Sequence, residues 1–174
     1  MEPHSNPPKN IGIVGLGLIG GSLGLDLQNL GYTVYGITHR EKTATKARER
    51  KLAHFVSTDP SLLQNCSIIY VALPLEQLIN PSSILINAIP TNAVVTDVGS
   101  VKVPILNTWN KLHPRFVASH PMTGTEKSGV NAGQPNLFKN KPWIVTPDKT
   151  TDKKALEVIH QISLSLGCKW ISSE

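Results

Sequence analysis

The sequence predicts an α/β fold built on a doubly wound, mainly parallel sheet with helices on both faces. Three observations carry this. Apolar runs of strand length alternate with helical stretches along most of the chain. One of them, Ser67–Leu73 (SIIYVAL), is continuously apolar, as expected of a parallel strand buried on both faces. The first strand runs directly into Gly15-Leu16-Gly17-Leu18-Ile19-Gly20, the pattern G-x-G-x-x-G opening a helix. That order of strand, tight turn and helix is the Rossmann-type arrangement.

Taken in order, residues 1–9 (MEPHSNPPK) are expected to be a flexible tail, and residues 10–174 one dinucleotide-binding domain. Ile11–Val14 is the first strand. Gly15 lets the backbone turn sharply, Gly17 allows a pyrophosphate close to the main chain, and Gly20 lets helix and strand pack closely. The unpaired N–H groups at the helix start, with their partial positive charge, would hold the phosphates. The apolar helix runs through Leu30, and Tyr32–Ile37 is the second strand, followed by a helix over Glu41–Lys51. Phe55–Ser57 reads as a short third strand, and Asp59-Pro60 starts a helical turn. Ser67–Leu73 stops at Pro74, and Leu75–Ala88 reads as helix interrupted near Pro81. Ala93–Val98 is a strand, Pro104–Leu112 a helix and Phe116–Ser119 a strand. His120 to Lys141 is long and rich in Gly and Pro, and a loop of that length is usually functional or disordered. Trp143–Thr146 (strand), Thr151–Leu166 (helix) and Cys168–Ile171 (strand) close the chain.

Length and composition narrow the function classes. With 174 residues the chain suits one well-cored domain, and its 40% apolar content is that of a soluble globular protein. The longest apolar run, Ile68 to Leu75, is far too short to span a bilayer, so no membrane association is expected. The N-terminus lacks an apolar h-region and leaves no room for a transit peptide, which makes the cytoplasm the expected compartment. The two cysteines, Cys66 and Cys168, stand far apart without a CxxC partner and read as small hydrophobes beside strands. No metal site is expected. The net charge of +5 is concentrated in Arg40, Lys42, Lys46, Arg48, Arg50 and Lys51. No aromatics are interleaved with these charges, which argues against nucleic acid and for a solvated helix face or attraction of a phosphorylated cofactor.

The cofactor follows from the end of the second strand. An acidic residue about twenty positions past the glycines would bond the adenosine ribose and favour NAD. Here Thr38-His39-Arg40 stands in that place. A hydroxyl and a guanidinium suit a 2′-phosphate, which a carboxylate would repel. The expected cofactor is NADP, held by Gly15, Gly17, Leu18, Ile19 and Gly20 of the turn, by Thr38, His39 and Arg40, by Ala72, Leu73 and Pro74, and by Ser100.

Three polar clusters fall just after strands: Asp97-Val98-Gly99-Ser100, His120-Pro121 and Thr123–Ser128. In an open α/β sheet such positions share the edge that carries the glycine turn. A histidine there can be neutral near pH 7 and accept a proton from a substrate hydroxyl while hydride leaves the same carbon. Ser100 would donate to or orient the same oxygen. His120 and Ser100 are therefore the candidate catalytic residues. The other five histidines lie in tails, helices or helix ends and receive no role.

The run Ser119-His120-Pro121-Met122-Thr123-Gly124-Thr125-Glu126-Lys127-Ser128-Gly129 resembles the HPM-x-G-T-E-x-S-G signature of prephenate and arogenate dehydrogenases. Thr96–Lys102 (TDVGSVK) resembles that family's second motif, and Val14–Gly21 its opening V-G-x-G-L-I-G-G. The resemblance covers the chain from Asn10 onward. It implies oxidation of a cyclohexadienol at the carbon bearing the hydroxyl, with hydride passing to the nicotinamide, loss of carbon dioxide and aromatisation. It implies that His120 takes the proton of the ring hydroxyl, that Ser100 binds the same hydroxyl, and that Thr125 and Glu126 lie at the substrate mouth. It also implies a homodimer, made by a helical C-terminal domain that supplies an arginine for the substrate carboxylate. This chain stops at Glu174, where that domain would begin, and no arginine follows Arg115. The expectation is the nucleotide-binding half of a longer enzyme, the other reading being a short homologue without the clamp. As it stands it should bind cofactor and turn over poorly.

The function expected is NADP-dependent oxidative decarboxylation of arogenate to tyrosine, since NADP-using members of the family tend to take arogenate. The alternatives are a prephenate dehydrogenase forming 4-hydroxyphenylpyruvate and a non-catalytic NADP-binding module. A different Rossmann oxidoreductase would be expected to use a lysine base from a later helical domain, and the HPM-x-G-T-E run opposes it.

Overall fold

A computed structural model describes residues 10–173; the expected flexible tail, residues 1–9, lies outside them. The chain builds β1 (Asn10–Val14), α1 (Leu18–Asn29), β2 (Thr33–Ile37), α2 (Glu41–Glu49) and β3 (Phe55–Ser57). A 3-10 turn (Pro60–Asn65) leads to β4 (Ile68–Val71), α3 (Leu75–Ile79), α4 (Ser83–Ala88), β5 (Val94–Asp97), α5 (Lys102–Leu112) and β6 (Phe116–Val117). These six strands form one parallel sheet in the order β3-β2-β1-β4-β5-β6. Strand order reverses between β1 and β4, which is where such sheets bind ligands.

The pleat sorts the apolar residues onto two cores. Ile11, Ile13, Ile68, Tyr70, Val94 and Val117 face one side, packed with Leu23 and Leu27 of α1. Val14, Ile69, Val71, Val95 and Phe116 face the other, against Leu78, Leu85, Ile105 and Trp109 of α3, α4 and α5. The central strands β1, β4 and β5 are buried on both faces, and β1 and β4 accordingly read as apolar runs, whereas the edge strand β3 leaves Phe55 exposed. Each fully buried aliphatic side chain contributes roughly 1.5–3 kcal/mol. Pro81 interrupts the helix expected over 75–88, leaving α3 and α4, and Ser82 caps α4 by accepting the Leu85 N–H.

The strand expected over Phe116–Ser119 divides. β6 ends at Val117, and Ser119–Pro121 forms β7, which joins a second, three-stranded sheet in the order β7-β8-β9. There β7 is antiparallel to β8 (Pro142–Val145), and β9 (Lys169–Ser172) is parallel to β8. The reason for the break is local. The Ser119 N–H leaves the parallel sheet and donates to the Asp97 carboxylate at 3.1 Å. His120 thus lies within a strand, opposite Ile144, and not in a loop after one.

Helix α6 (Lys153–Ser165) joins β8 to β9 and packs Ala155, Ile159 and Ile162 onto the first core. The long segment from 122 to 141 is anchored by tertiary contacts. Phe138 is fully buried, Ser22 Oγ and the Asp26 carboxylate on α1 accept the N–H groups of Gln134 and Asn136, both at 2.9 Å, and Thr123 Oγ1 donates to the Leu137 carbonyl. α1, apolar in sequence, therefore presents two buried polar residues to this segment. Among the described residues no helix is long and apolar enough to cross a membrane.

Candidate functional site

The glycine turn forms the floor of the principal cleft. Gly15 adopts φ +92°, a left-handed conformation that favours glycine, and a Cβ there would lie 2.4 Å from the Ala72 carbonyl oxygen. A Cβ at Gly20 would sit 1.8 Å from the Gly15 oxygen, so Gly20 serves the turn itself more than helix–strand packing. A Cβ on Gly17, at the N-cap of α1, would meet no atom within 4 Å. The main chain is open there to a closely approaching group, and the free N–H groups of the helix start favour an anion.

The cleft encloses about 660 Å³ along the carboxyl ends of β1, β2 and β4. Gly15, Gly17, Leu18, Ile19 and Gly20 line it, together with Thr38, His39 and Arg40 after β2 and Ala72, Leu73 and Pro74 after β4. These eleven of the twelve residues expected to hold the cofactor share one cavity; Ser100, the twelfth, is not among its lining residues. Arg40 is exposed at the N-cap of α2, whereas Thr38 is buried and its hydroxyl donates to the Arg40 carbonyl at 3.3 Å. The guanidinium is thus the group free to meet a ligand, and Thr38 shapes the turn that presents it. Thr43, Gln77, Val98 and Ser128–Val130 also line the cleft; of these, Val98 and Ser128 stand in the polar clusters after strands and Gly129 closes the run from Ser119, whereas Thr43, Gln77 and Val130 were not singled out in the sequence.

Ser100 and His120 flank a second, polar arrangement. Asp97, fully buried at the end of β5, accepts the Gly99 N–H at 2.9 Å on one oxygen and the Ser119 N–H on the other. One carboxylate therefore ties down the residues immediately preceding Ser100 and His120. Lys102, in the first turn of α5, pairs with Asp97 and donates to the Ser119 carbonyl at 2.7 Å. A cation at a helix start opposes the helix dipole, and the Asp97 carboxylate offsets this. Burial raises the Asp97 carboxyl and lowers the Lys102 ammonium, and each partner's opposite charge works against that. Spacing alone did not mark the Lys102–Asp97 pair, although both residues stand in the TDVGSVK run.

His120 is half-buried, and burial, then the charge of Lys102, lower it below the ordinary histidine value, with Asp97 acting the other way. It is therefore a neutral imidazole at pH 7, able to accept a proton. Ser100 is exposed between β5 and α5, and Thr125 and Glu126 are exposed on the long segment; none of the three lines the principal cleft. Cys66 and Cys168 are buried thiols pushed up to about 12 by burial, unsuited to nucleophilic work. The six basic residues of 40–51 divide. Arg48 pairs with Glu41 and Lys46 with Glu49, while Arg50 reaches the carbonyls of Val130 and Gly133. Among the described residues no three His, Cys, Asp or Glu stand together to hold a metal ion.

Residues 23–172 match a family model described as the nucleotide-binding domain of prephenate dehydrogenase. The prephenate dehydrogenase of Bacillus subtilis is 32% identical over 161 residues, which are 86% of this chain and 42% of that protein. The crystal structure of Synechocystis arogenate dehydrogenase superposes with a TM-score of 0.87 at 36% identity, covering 94% of this chain and 59% of the other. That of Aquifex aeolicus prephenate dehydrogenase, in complex with hydroxyphenyl propionate and NAD+, superposes with a TM-score of 0.89 at 30% identity, covering 98% and 61%. The chain spans about half the length of the relatives it matches, from 42% to 61% in these three.

Proposed function

From its membership of the prephenate dehydrogenase family, within the nucleotide-binding domain, we propose that this chain is the cofactor-binding catalytic half of an NADP-dependent arogenate dehydrogenase. The observation that carries the reading is the convergence of an open glycine turn with an exposed Arg40, and no carboxylate, at the end of β2. The cleft fits a dinucleotide: its floor is bare main chain at Gly17, and its size suits a ligand of that class. Gly15–Gly20 would hold the pyrophosphate, Arg40 the 2′-phosphate, and Ala72–Pro74 the wall beyond β4. When bound, the nicotinamide takes up a hydride.

The chain's own chemistry would fall to His120 and Ser100. His120, kept neutral by burial and by Lys102, accepts the proton of the ring hydroxyl. Ser100 donates to the same oxygen and orients it. The ketone developing at that carbon is an electron sink, conjugated through the ring double bonds to the carbon across the ring that bears the carboxylate, so the carboxylate leaves as carbon dioxide and aromatisation makes the step effectively irreversible. Thr125 and Glu126 would border the substrate. The substrate carboxylate needs a cationic partner, which in this proposal comes from a helical dimerising domain of the full-length enzyme. Soluble substrate and cofactor suit the cytoplasm.

The preference for arogenate rests on the NADP reading and on likeness to the Synechocystis arogenate dehydrogenase. Prephenate oxidation is the second reading, favoured by the names of the Bacillus and Aquifex relatives. Cofactor reduction by the full-length protein, offered arogenate and prephenate with NADP and with NAD, separates them. Turnover confined to arogenate with NADP is expected; turnover of prephenate overturns the substrate choice. Binding of cofactor without turnover of either substrate leaves a non-catalytic NADP-binding module.

A further inference from the structure

We infer that Arg50 is a positioning residue for the dinucleotide cleft, holding the wall that faces α2. The inference rests on the reading of that cleft as a cofactor site. Arg50 caps the C-terminus of α2, far in sequence from the residues it contacts. Its Nη1 donates to the Val130 carbonyl at 2.8 Å and its Nη2 to the Gly133 carbonyl at 2.6 Å. The fork of a guanidinium matches two carbonyls at once, which an ammonium on a flexible stem does not.

Val130 lines the cleft beside Ser128 and Gly129, and with Thr43 of α2 it also lines an adjoining hollow of about 490 Å³. Thr43, Ala47 and Arg50 fall at positions i, i+4 and i+7, one face of α2. Through Arg50 this face meets the segment beginning at Val130, which shares the lining of the cleft with Thr43 and with Arg40 at the opposite end of the helix. On its other side the segment is held by α1, whose Ser22 and Asp26 take the Gln134 and Asn136 N–H groups. Gly133 lies against the Gly21 backbone so closely that a Cβ would come within 3.0 Å of the Gly21 carbonyl carbon. The segment's carbonyls are thus fixed by α2 and its amides by α1. From Gly124 to Gly129 the chain has open space at both glycines, and Gly129 takes φ +79°. Arg50 is the tether that ends this looser stretch and sets Ser128–Val130 against the adenosine end of the cleft.

The test is the affinity of the protein for NADP+, and for 2′,5′-ADP as a fragment that fills only the adenosine end, in wild type, Arg50→Ala and Arg50→Lys. Removing the tether should weaken both ligands by the same factor, roughly tenfold, because the wall then occupies its binding position only part of the time. Arg50→Lys, able to reach one carbonyl, should fall between. The melting temperature without ligand should be nearly unchanged in Arg50→Lys, which separates positioning from general loss of structure. Unchanged affinities in both variants overturn the inference alone. Weakening of NADP+ with no effect on 2′,5′-ADP also overturns it, since the wall would not then act at the adenosine end. A wild-type protein that binds no dinucleotide overturns the cofactor reading and this inference together.

Discussion

The Asp97 carboxylate receives the Ser119 N–H at 3.1 Å, and through that bond a residue at the end of β5 fixes the strand that carries His120. The same carboxylate holds Gly99, next to Ser100, and pairs with Lys102. Lys102 in turn donates to the Ser119 carbonyl, so both backbone groups of Ser119 are taken by one ion pair. A buried pair of this kind adds little net stability, but losing one member leaves an uncompensated charge.

Lys102→Met should therefore destabilise the domain by about 3–5 kcal/mol. Combining it with Asp97→Asn, which removes the charge but keeps an oxygen for the Ser119 N–H, should cost less than Lys102→Met alone, because no charge then remains buried. Urea unfolding of the wild type, the two single variants and the double variant checks this. Additive losses would mean that the pair does not act as a unit.

The glycine turn makes a contrasting prediction. Gly20→Ala drives a methyl into the Gly15 carbonyl oxygen, a backbone atom that cannot move aside cheaply, and should destabilise by at least about 1–3 kcal/mol. Gly17→Ala meets no atom within 4 Å and should melt close to wild type, yet bind dinucleotide weakly, since its methyl occupies the open face of the turn. Thermal melts beside cofactor titrations separate the two. Undiminished cofactor binding by Gly17→Ala would remove the turn from the site.

Much of this was legible in the sequence because the parallel sheet writes itself as apolar runs, and the glycine turn as a fixed spacing. What was not legible depends on tertiary contact. The run Phe116–Ser119 reads as one strand, and it is divided by side chains of another element, the Thr96 hydroxyl on the Val117 carbonyl and the Asp97 carboxylate on the Ser119 N–H. Arg50 reads as one charge among six on a solvated helix, whereas its partners lie 80 and 83 residues away. Ser22 and Asp26 vanish within an apolar helix because their partners belong to a Gly- and Pro-rich stretch without periodicity. Eleven of the twelve residues expected to hold the cofactor stand at or just after the ends of strands and share one cleft, whereas Thr43 and Val130 of the opposite wall carry no such signal.

Cofactor choice should turn on Arg40. Arg40→Ala with Thr38→Asp removes the exposed guanidinium and sets a carboxylate at the end of β2, which should reverse the preference from NADPH toward NADH. Thr38 is buried and bonded to the Arg40 carbonyl, so Arg40→Ala alone should account for most of the lost NADPH affinity. Titration of both cofactors into each variant checks this, and unchanged affinities would end the 2′-phosphate assignment.

In the enzyme turning over substrate, His120→Asn should lower turnover on the order of 10²–10⁴, as loss of a general base does. Because burial and Lys102 lower the His120 imidazole, the acidic limb of kcat/KM should lie below the ordinary histidine value of 6.5. Lys102→Met should move that limb upward if the variant is folded at the assay temperature. Near-normal turnover by His120→Asn would remove it from the mechanism.

His113 sets a pH dependence of stability that is independent of activity. It is buried at the end of α5, where its Nδ1 accepts the Arg115 N–H at 3.2 Å and its Nε2 faces the Pro90 carbonyl at 3.0 Å. The neutral tautomer with its proton on Nε2 satisfies both contacts, whereas the imidazolium would set an N–H of its own against the Arg115 N–H. Burial lowers the folded group below 6.5; the Pro90 bond opposes this and the Arg115 charge adds to it. The unfolded chain then binds the proton first, so stability is full above 6.5 and declines as the pH falls through that value toward the lower folded one. The decline should be visible in urea midpoints between about pH 7.5 and 5.5, a window above the ordinary range of the carboxylates. His113→Gln removes this titration and should flatten the slope at some cost in overall stability. An equal slope in the two proteins would show that His113 titrates alike folded and unfolded, and would overturn its role in the pH dependence.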